Sequence, residues 1–360
     1  MANPHILHVV GARPNFMKVA PVIRALAEYG SIRQTLVHTG QHYDFNLSET
    51  FFQELEMPAP DVNLLVGSGS HAQQTAEVMK RFEPVVLERR PEMVMVYGDV
   101  NSTVAAALVC AKLQVPLAHV EAGLRSFDRT MPEEINRLLT DQIAALLFTP
   151  SQDGNDNLAR EGIAPSRIHL VGNVMIDTLM RMLPCARARV PAHLPDQFVL
   201  VTLHRPTNVD DVAWLGHILR LLARISESTT VIFPVHPRTR ERLAAAALTG
   251  ENHRGLHLSQ PLPYLDFLAL QTRATVVVTD SGGIQEETTF LGTPCITVRE
   301  NTERPITVTL GTNTLAGRNP ARLCAELERV LSGARKRGQV PPYWDGHAAE
   351  RIAAVVHAAF

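Results

Sequence analysis

Short, apolar, β-branched runs alternate with longer helical patterns along the whole chain, and the series starts afresh halfway. Parallel strands need a long crossover to reach their neighbours, so this alternation specifies βαβ units and a parallel sheet. The first half offers strands at His5–Val10, Thr35–His38, Met93–Tyr97, Leu117–Val120 and Leu147–Phe148. Helical patterns near Phe16–Tyr29, Thr75–Arg89, Thr103–Lys112 and Glu133–Ala145 separate them. The second half begins with Phe198–Thr202 and continues through Val231–Pro234, Leu256–Leu258, Thr275–Thr279 and Cys295–Val298. At 360 residues, two domains are expected. The boundary is set at 173/174, giving an N-terminal parallel-sheet domain over 1–173 and a C-terminal one over 174–345. The proline-rich stretch within Val174–Pro195 reads as a linker, with a short helix at Met175–Met182. The amphipathic tail, 346–360, is expected to pack back on the first domain.

Composition removes several function classes. The net charge of −2 offers no electrostatic reason to bind nucleic acid or an anionic membrane surface. No run of about 18 apolar residues marks a membrane span. Four cysteines, Cys110, Cys185, Cys295 and Cys324, are widely spaced without CxxC pairing, which fits reduced thiols and a cytoplasmic location. Fifteen histidines are present, yet HExxH is absent, and no metal ligand set is expected.

Open parallel sheets bind ligands beyond the carboxyl ends of their strands. The most telling strand end is Asp280-Ser281-Gly282-Gly283, which runs into a helical pattern from Ile284. Two glycines before a helix let backbone N–H groups approach an anion, and the helix N-terminus favours negative charge. This is the expected pyrophosphate seat. Glu286 and Glu287 follow, about 100° apart on the helix, so one of them is placed to accept ribose hydroxyls. After the next strand, Arg299, Glu303 and Arg304 stand at another carboxyl end, and Phe267 in PLPYLDFLAL offers an aromatic surface for a base.

The first strand ends in Gly11-Ala12-Arg13-Pro14-Asn15-Phe16-Met17-Lys18, which is not a dinucleotide fingerprint and instead supplies two cations. Lys18 in a first helical turn would oppose the helix dipole, a local conflict that points to a bound anion. Three carboxylates then follow in order: Asp99 after MVMVYG, Glu121 after LAHV, and Glu133 in MPEEINR. Each has a structural alternative, with Asp99 as an N-cap and Thr130 with Glu133 as a capping box. Jointly they favour acid–base chemistry, with Glu133 and Arg137 spaced for an ion pair. In the second half, His204-Arg205 and His236 also occupy strand ends, His204 where it could stabilise a departing diphosphate.

GARPNFMKVAP, HTGQH, YGDVNST, HVEAGLRS, MPEEINR, VTLHRPTN, FPVHPRT, TDSGGIQEE and RENTERP occur in order between residues 11 and 305. With these motifs the chain resembles the non-hydrolysing UDP-N-acetylglucosamine 2-epimerases. The resemblance implies an α/β, GT-B arrangement of two Rossmann-like domains with a cleft between them, a homodimer, a UDP-sugar substrate and no cofactor. It implies substrate-binding roles for Arg13, Lys18, Phe267, Ser281, Gly282, Gly283, Glu287 and Arg304. It implies catalytic roles for Asp99, Glu121, Glu133, Arg137 and His204, and a regulatory site at Gln41, Arg205 and His236. The implied reaction is reversible C2 epimerisation through elimination of UDP, a 2-acetamidoglucal intermediate and re-addition. Two loops depart from the family pattern: Asn15 replaces a glutamate, and Pro206-Thr207 replace an arginine and a glutamate. The alternatives are a sister epimerase for UDP-2,3-diacetamido-2,3-dideoxy-glucuronic acid and, more distantly, a GT-B glycosyltransferase. The latter leaves the three carboxylates unexplained.

Overall fold

The computed structural model describes residues 3–40, 55–235, 237–245 and 255–360. The chain divides into two compact units, Met1–Thr178 together with Pro342–Phe360, and Leu179–Pro341. Each is built on one parallel sheet.

In the first unit the strands are β1 (His5–Val10), β2 (Arg33–His38), β3 (Val62–Asn63), β4 (Met93–Tyr97), β5 (Leu117–Val120), β6 (Leu146–Thr149) and β7 (Ile168–Leu170). Their order is β3-β2-β1-β4-β5-β6-β7. The chain leaves β1 in one direction and returns to its other side as β4, so the winding reverses between those two strands. β1, β4 and β5 are buried along their full length, as expected of central strands covered on both faces. Leu7, Val9, Val94 and Val96 join Phe82, Val86, Ala106 and Cys110 from the covering helices in one apolar cluster.

The second unit repeats the plan with β8 (Phe198–Thr202), β9 (Thr230–Pro234), β10 (Leu256–Ser259), β11 (Val276–Thr279), β12 (Cys295–Thr297) and β13 (Asn313–Leu315). The order β10-β9-β8-β11-β12-β13 reverses between β8 and β11. Strand periodicity sorts its two cores. Val199, Val201, Val276 and Val278 face the helices Val212–Ile225 and Pro320–Leu331. Phe198, Leu200 and Val277 face the other way, against Leu270, Phe267 and Ile284.

Three short strands, β3, β7 and β13, were not expected from periodicity; two or three residues carry too little pattern. The proposed linker is also more regular than its prolines suggested. Helix Val174–Ala188 runs through much of it with Pro184 inside, and the division between the units falls within this helix at Thr178/Leu179. The tail forms helix Ala348–Ala358, which belongs to the first unit. Asp177 accepts the Ala348 and Ala349 N–H groups at 3.2 and 2.7 Å, satisfying donors that a helix start leaves open. Trp344, buried just ahead, donates its indole N–H to the Pro150 carbonyl at 2.9 Å. All four cysteines are free thiols. No helix among the described residues is long and apolar enough to cross a membrane.

Candidate active site

The polar groups gather at the two reversal points, where carboxyl ends of neighbouring strands diverge and leave room for a ligand. In the first unit, Glu121 follows β5 directly and is 5% exposed. Its Oε2 lies 2.5 Å from the Lys18 Nζ, and Lys18 is equally buried. Glu121 has φ +74°, a left-handed conformation that is uncommon for a residue with a side chain. Such strain, of order 1–3 kcal/mol, persists where surrounding structure imposes it, and it concentrates at functional sites. The Lys18 amine rests against Gly98, where an added Cβ would fall 2.8 Å from Nζ, and Gly98 itself has φ +66°. Glycine is needed there for both reasons.

Asp99 follows Gly98 at the end of β4. Its carboxylate receives the Arg137 guanidinium, and its backbone carbonyl accepts the Asn136 amide at 2.9 Å. Both partners sit on helix Pro132–Ile143, whose first turn carries Glu133. Below Asp99, the His119 Nε2 meets the Gly98 carbonyl at 2.8 Å, while Nδ1 meets Asp141 at 2.6 Å. Asp141 is fully buried and also takes Arg125 at 2.7 Å and the Gly123 N–H at 3.1 Å. Burial works against its charge, but the His119 and Arg125 contacts outweigh it and hold the carboxyl below its ordinary range.

The second unit places His204 after β8 and Asp280-Ser281-Gly282 after β11. Ser281 is the N-cap of helix Gly282–Leu291 but makes no side-chain capping bond, which leaves the first-turn N–H groups available to an anion. A Cβ on Gly282 would fall 2.4 Å from a guanidinium nitrogen of Arg304 and 2.8 Å from Glu303 Oε1. Arg304 therefore lies over the glycine turn. Its Nε meets Glu286 at 2.8 Å, and it also pairs with Glu303. Glu303 in turn takes Arg299 at 2.6 Å and stands 3.8 Å from Arg205. Burial opposes the charge of Glu303, yet Arg304 and Arg299 keep it well below the usual carboxylate range.

One helical position further, Glu287 turns away from that cluster. It accepts the Tyr264 hydroxyl at 3.0 Å and the Gln271 amide at 2.6 Å. Burial pushes its carboxyl up to about 7, with those two hydrogen bonds pulling the other way. Phe267 shares the helix Tyr264–Gln271 and packs in the same apolar cluster as Ile284 of the glycine helix.

The structure thus brings Lys18, Asp99, Glu121 and Arg137 into one cluster. It brings Arg205, Gly282 and Arg304 into another, beside Ser281, Gly283 and Glu287. Gln41 and His236 lie outside the described residues, and Arg13 is described only as the backbone residue opening helix Arg13–Ala27. Three expectations are corrected. Lys18 is in the second turn of that helix, not the first, and its conflict with the dipole is answered by Glu121. Arg137 pairs at 2.6 Å with Glu134 and with Asp99, not with Glu133. Glu134 is buried and occupied as an acceptor for the Ser126 and Phe127 N–H groups, while Glu133 beside it is half-buried. Neither capping alternative forms: the N-caps are Val100 and Met131.

His119 and Gln271 carried no signal in the sequence. Asp141, one turn past Arg137, Tyr264, in PLPYLDFLAL, and Asp280, before the glycine turn, stood in evident places without their partners being legible. Asn15, the departure in the first loop, accepts the Gly11 and Ala12 N–H groups at 3.1 and 3.0 Å and donates to the Tyr97 carbonyl at 2.7 Å. A glutamate could not make that last bond while ionised.

Comparison with known proteins bears directly on this geometry. The sequence signature of the UDP-N-acetylglucosamine 2-epimerases matches residues 24–357. The chain is 42% identical to the UDP-N-acetylglucosamine 2-epimerase of Methanocaldococcus jannaschii over 97% of both chains. It is also 42% identical to the UDP-2,3-diacetamido-2,3-dideoxy-D-glucuronate 2-epimerase of Pseudomonas aeruginosa, over 97% of this chain and 98% of that one. The crystal structure of the M. jannaschii enzyme in complex with UDP-GlcNAc and UDP superposes with a TM-score of 0.90, covering 98% of this chain and 99% of that chain. With the signature, the overall identity and the two-sheet fold in agreement, the chain belongs to the UDP-N-acetylglucosamine 2-epimerase family.

Proposed function

We propose that this chain reversibly epimerises UDP-N-acetylglucosamine to UDP-N-acetylmannosamine at C2. The observation that carries the reading is the grouping of Asp99 and Glu121 at adjacent strand ends, each held by a buried cation, Arg137 and Lys18. In this reading Ser281, Gly282, Gly283 and Arg304 hold the diphosphate, Glu287 the ribose and Phe267 the uracil, while Arg13 and Lys18 line the sugar and phosphates. A carboxylate among Asp99, Glu121 and Glu133 removes the C2 proton. The C1–O bond breaks, its electron pair leaves with UDP, and 2-acetamidoglucal remains. Another of the three returns a proton to the opposite face as UDP re-adds. The C2 hydrogen is weakly acidic, so stabilising the departing diphosphate by Arg304 and His204 supplies much of the drive. The sequence is redox-neutral and calls for no cofactor.

The same proposal includes a cytoplasmic homodimer, a domain boundary near residue 174, and a regulatory substrate site at Gln41, Arg205 and His236. Incubation with UDP-N-acetylglucosamine in deuterated water is expected to yield a UDP-linked manno product carrying deuterium at C2, with nothing else added. The equal identity to the Pseudomonas relative supports a second reading, with the diacetamido uronic acid as substrate. Turnover of that sugar alone would transfer the assignment to it.

Glu287 makes a separate prediction. Ribose hydroxyls donate to a carboxylate, so binding favours its ionised form. With a carboxyl near 7, nucleotide-sugar affinity should rise as pH increases through neutrality and then level off, with proton release on binding. Calorimetry in buffers of different ionisation enthalpy measures that release. A flat affinity profile in the wild type, or an unchanged slope in Glu287→Gln, would refute the ribose role.

A further inference from the structure

Asp280 is the last residue before the glycine turn, and it is fully buried. It accepts the backbone N–H of His204 at 3.1 Å, that of Arg205 at 3.0 Å and the side-chain amide of Asn208 at 3.0 Å. Its Oδ1 also lies 3.0 Å from the Nδ1 of His204. Those three backbone and amide bonds would suffice to secure the loop that follows β8. The fourth contact does something different, because it falls on a side chain that is 51% exposed. An ionised carboxylate only accepts, so the ring nitrogen facing it carries a hydrogen, and Nε2 is the nitrogen left for a ligand. Burial opposes the charge on Asp280, but His204, Asn208 and the Arg205 N–H outweigh it and keep the carboxyl below its ordinary range.

We infer that Asp280 is a positioning residue for the reaction, orienting His204 by accepting its Nδ1–H so that the protonated ring presents Nε2–H to the diphosphate oxygen as it takes up the C1–O electron pair. The inference rests on the role given to His204 above and adds a residue that never touches substrate. Geometry supports it in a second way. β8 and β11 are the two strands flanking the reversal point of the sheet. Asp280 thus ties the loop bearing the imidazole to the turn bearing the glycine seat, so that proton donor and anion site keep one spacing. Carboxylate–imidazole pairs serve the same purpose in hydrolytic triads and around metal-bound histidines.

The test is a double-mutant cycle on the full chain with UDP-N-acetylglucosamine, reading kcat and KM separately. Asp280→Asn should lower kcat by about 10–100-fold, the range seen when a partner orienting a working imidazole is removed, with KM changed less than about threefold. In a His204→Phe background the same substitution should cost almost nothing further, because there is no ring left to orient. An equal loss in both backgrounds, or a loss confined to KM, would assign Asp280 to the scaffold and overturn the inference while leaving the epimerase reading intact. Wild-type protein inert toward UDP-sugars would instead remove that reading itself. If Asp280→Asn does not fold, Asp280→Ser, which keeps an acceptor for the loop without the charge, is measured in its place under the same criteria.

Discussion

Glu121→Gln is expected to lower kcat for epimerisation by about 10²-fold or more, the usual share of a positioned acid or base. Asp99→Asn and Glu133→Gln should show losses of the same order. Glu121 is the sharpest case because two costs are met to keep it where it is. Its backbone is held at φ +74°, and its carboxylate is buried against Lys18. Removing the charge also leaves the Lys18 cation buried without its anion, so the single variant loses stability as well as activity. Breaking a buried pair from one side costs about 3–5 kcal/mol, more than the strain at one residue. The companion variant Lys18→Met/Glu121→Gln separates the two effects. It removes both charges, and it should regain most of the melting temperature without regaining turnover. Turnover within a few-fold of wild type in Glu121→Gln would reject the catalytic role; recovered activity in the double variant would assign the pair to folding alone.

Asp141→Asn is expected to give the largest loss of stability in the first unit. Asp141 joins His119, Arg125 and the Gly123 N–H with no access to water, and Arg125 is also bound by Glu161 at 2.7 Å. Removing one partner of a buried ion pair costs about 3–5 kcal/mol, and Glu161 offsets only part of the loss for Arg125. At about 2–4 °C per kcal/mol for a unit of this size, the melting temperature should fall by roughly 6–20 °C. The sign with pH follows from the depressed carboxyl of Asp141. Its contribution is fully present above the ordinary value of 3.8 and is lost as pH falls through the lower folded value. The difference between wild type and variant should therefore be constant from neutrality down to about pH 5 and close only in stronger acid. A variant melting within about 2 °C of wild type at pH 7 would refute the account. Because His119 connects Asp141 to the Gly98 carbonyl, turnover should fall along with stability.

The fold was legible where strands are central. β4, β8 and β11 are covered on both faces, so their residues read as apolar runs, and their helices follow at the spacing a crossover needs. The edge strands β3 and β13 were not legible, since two or three residues against one neighbour impose little pattern. Of the candidate site, the glycine turn announced itself because its chemistry is backbone chemistry: two residues without side chains before a helix have few other uses. Phe267 and Glu287 could be placed near it, but not their partners.

What the linear order of residues determined on its own was the parallel two-sheet plan, the strand ends that carry polar groups, and the family to which those groups belong. All of these depend on local periodicity or on motifs a few residues long. Pairing was decided only in three dimensions. Lys18 meets Glu121, Arg137 chooses Glu134 and Asp99 over Glu133, and Asp280 reaches across to His204. The Arg137–Glu134 pair is local to one helix, but the other choices depend on which strands lie side by side at the reversal of the winding and on how little water reaches the groups they bring together. Sequence spacing measures neither, and burial is what turns such contacts from optional surface pairs into obligatory ones.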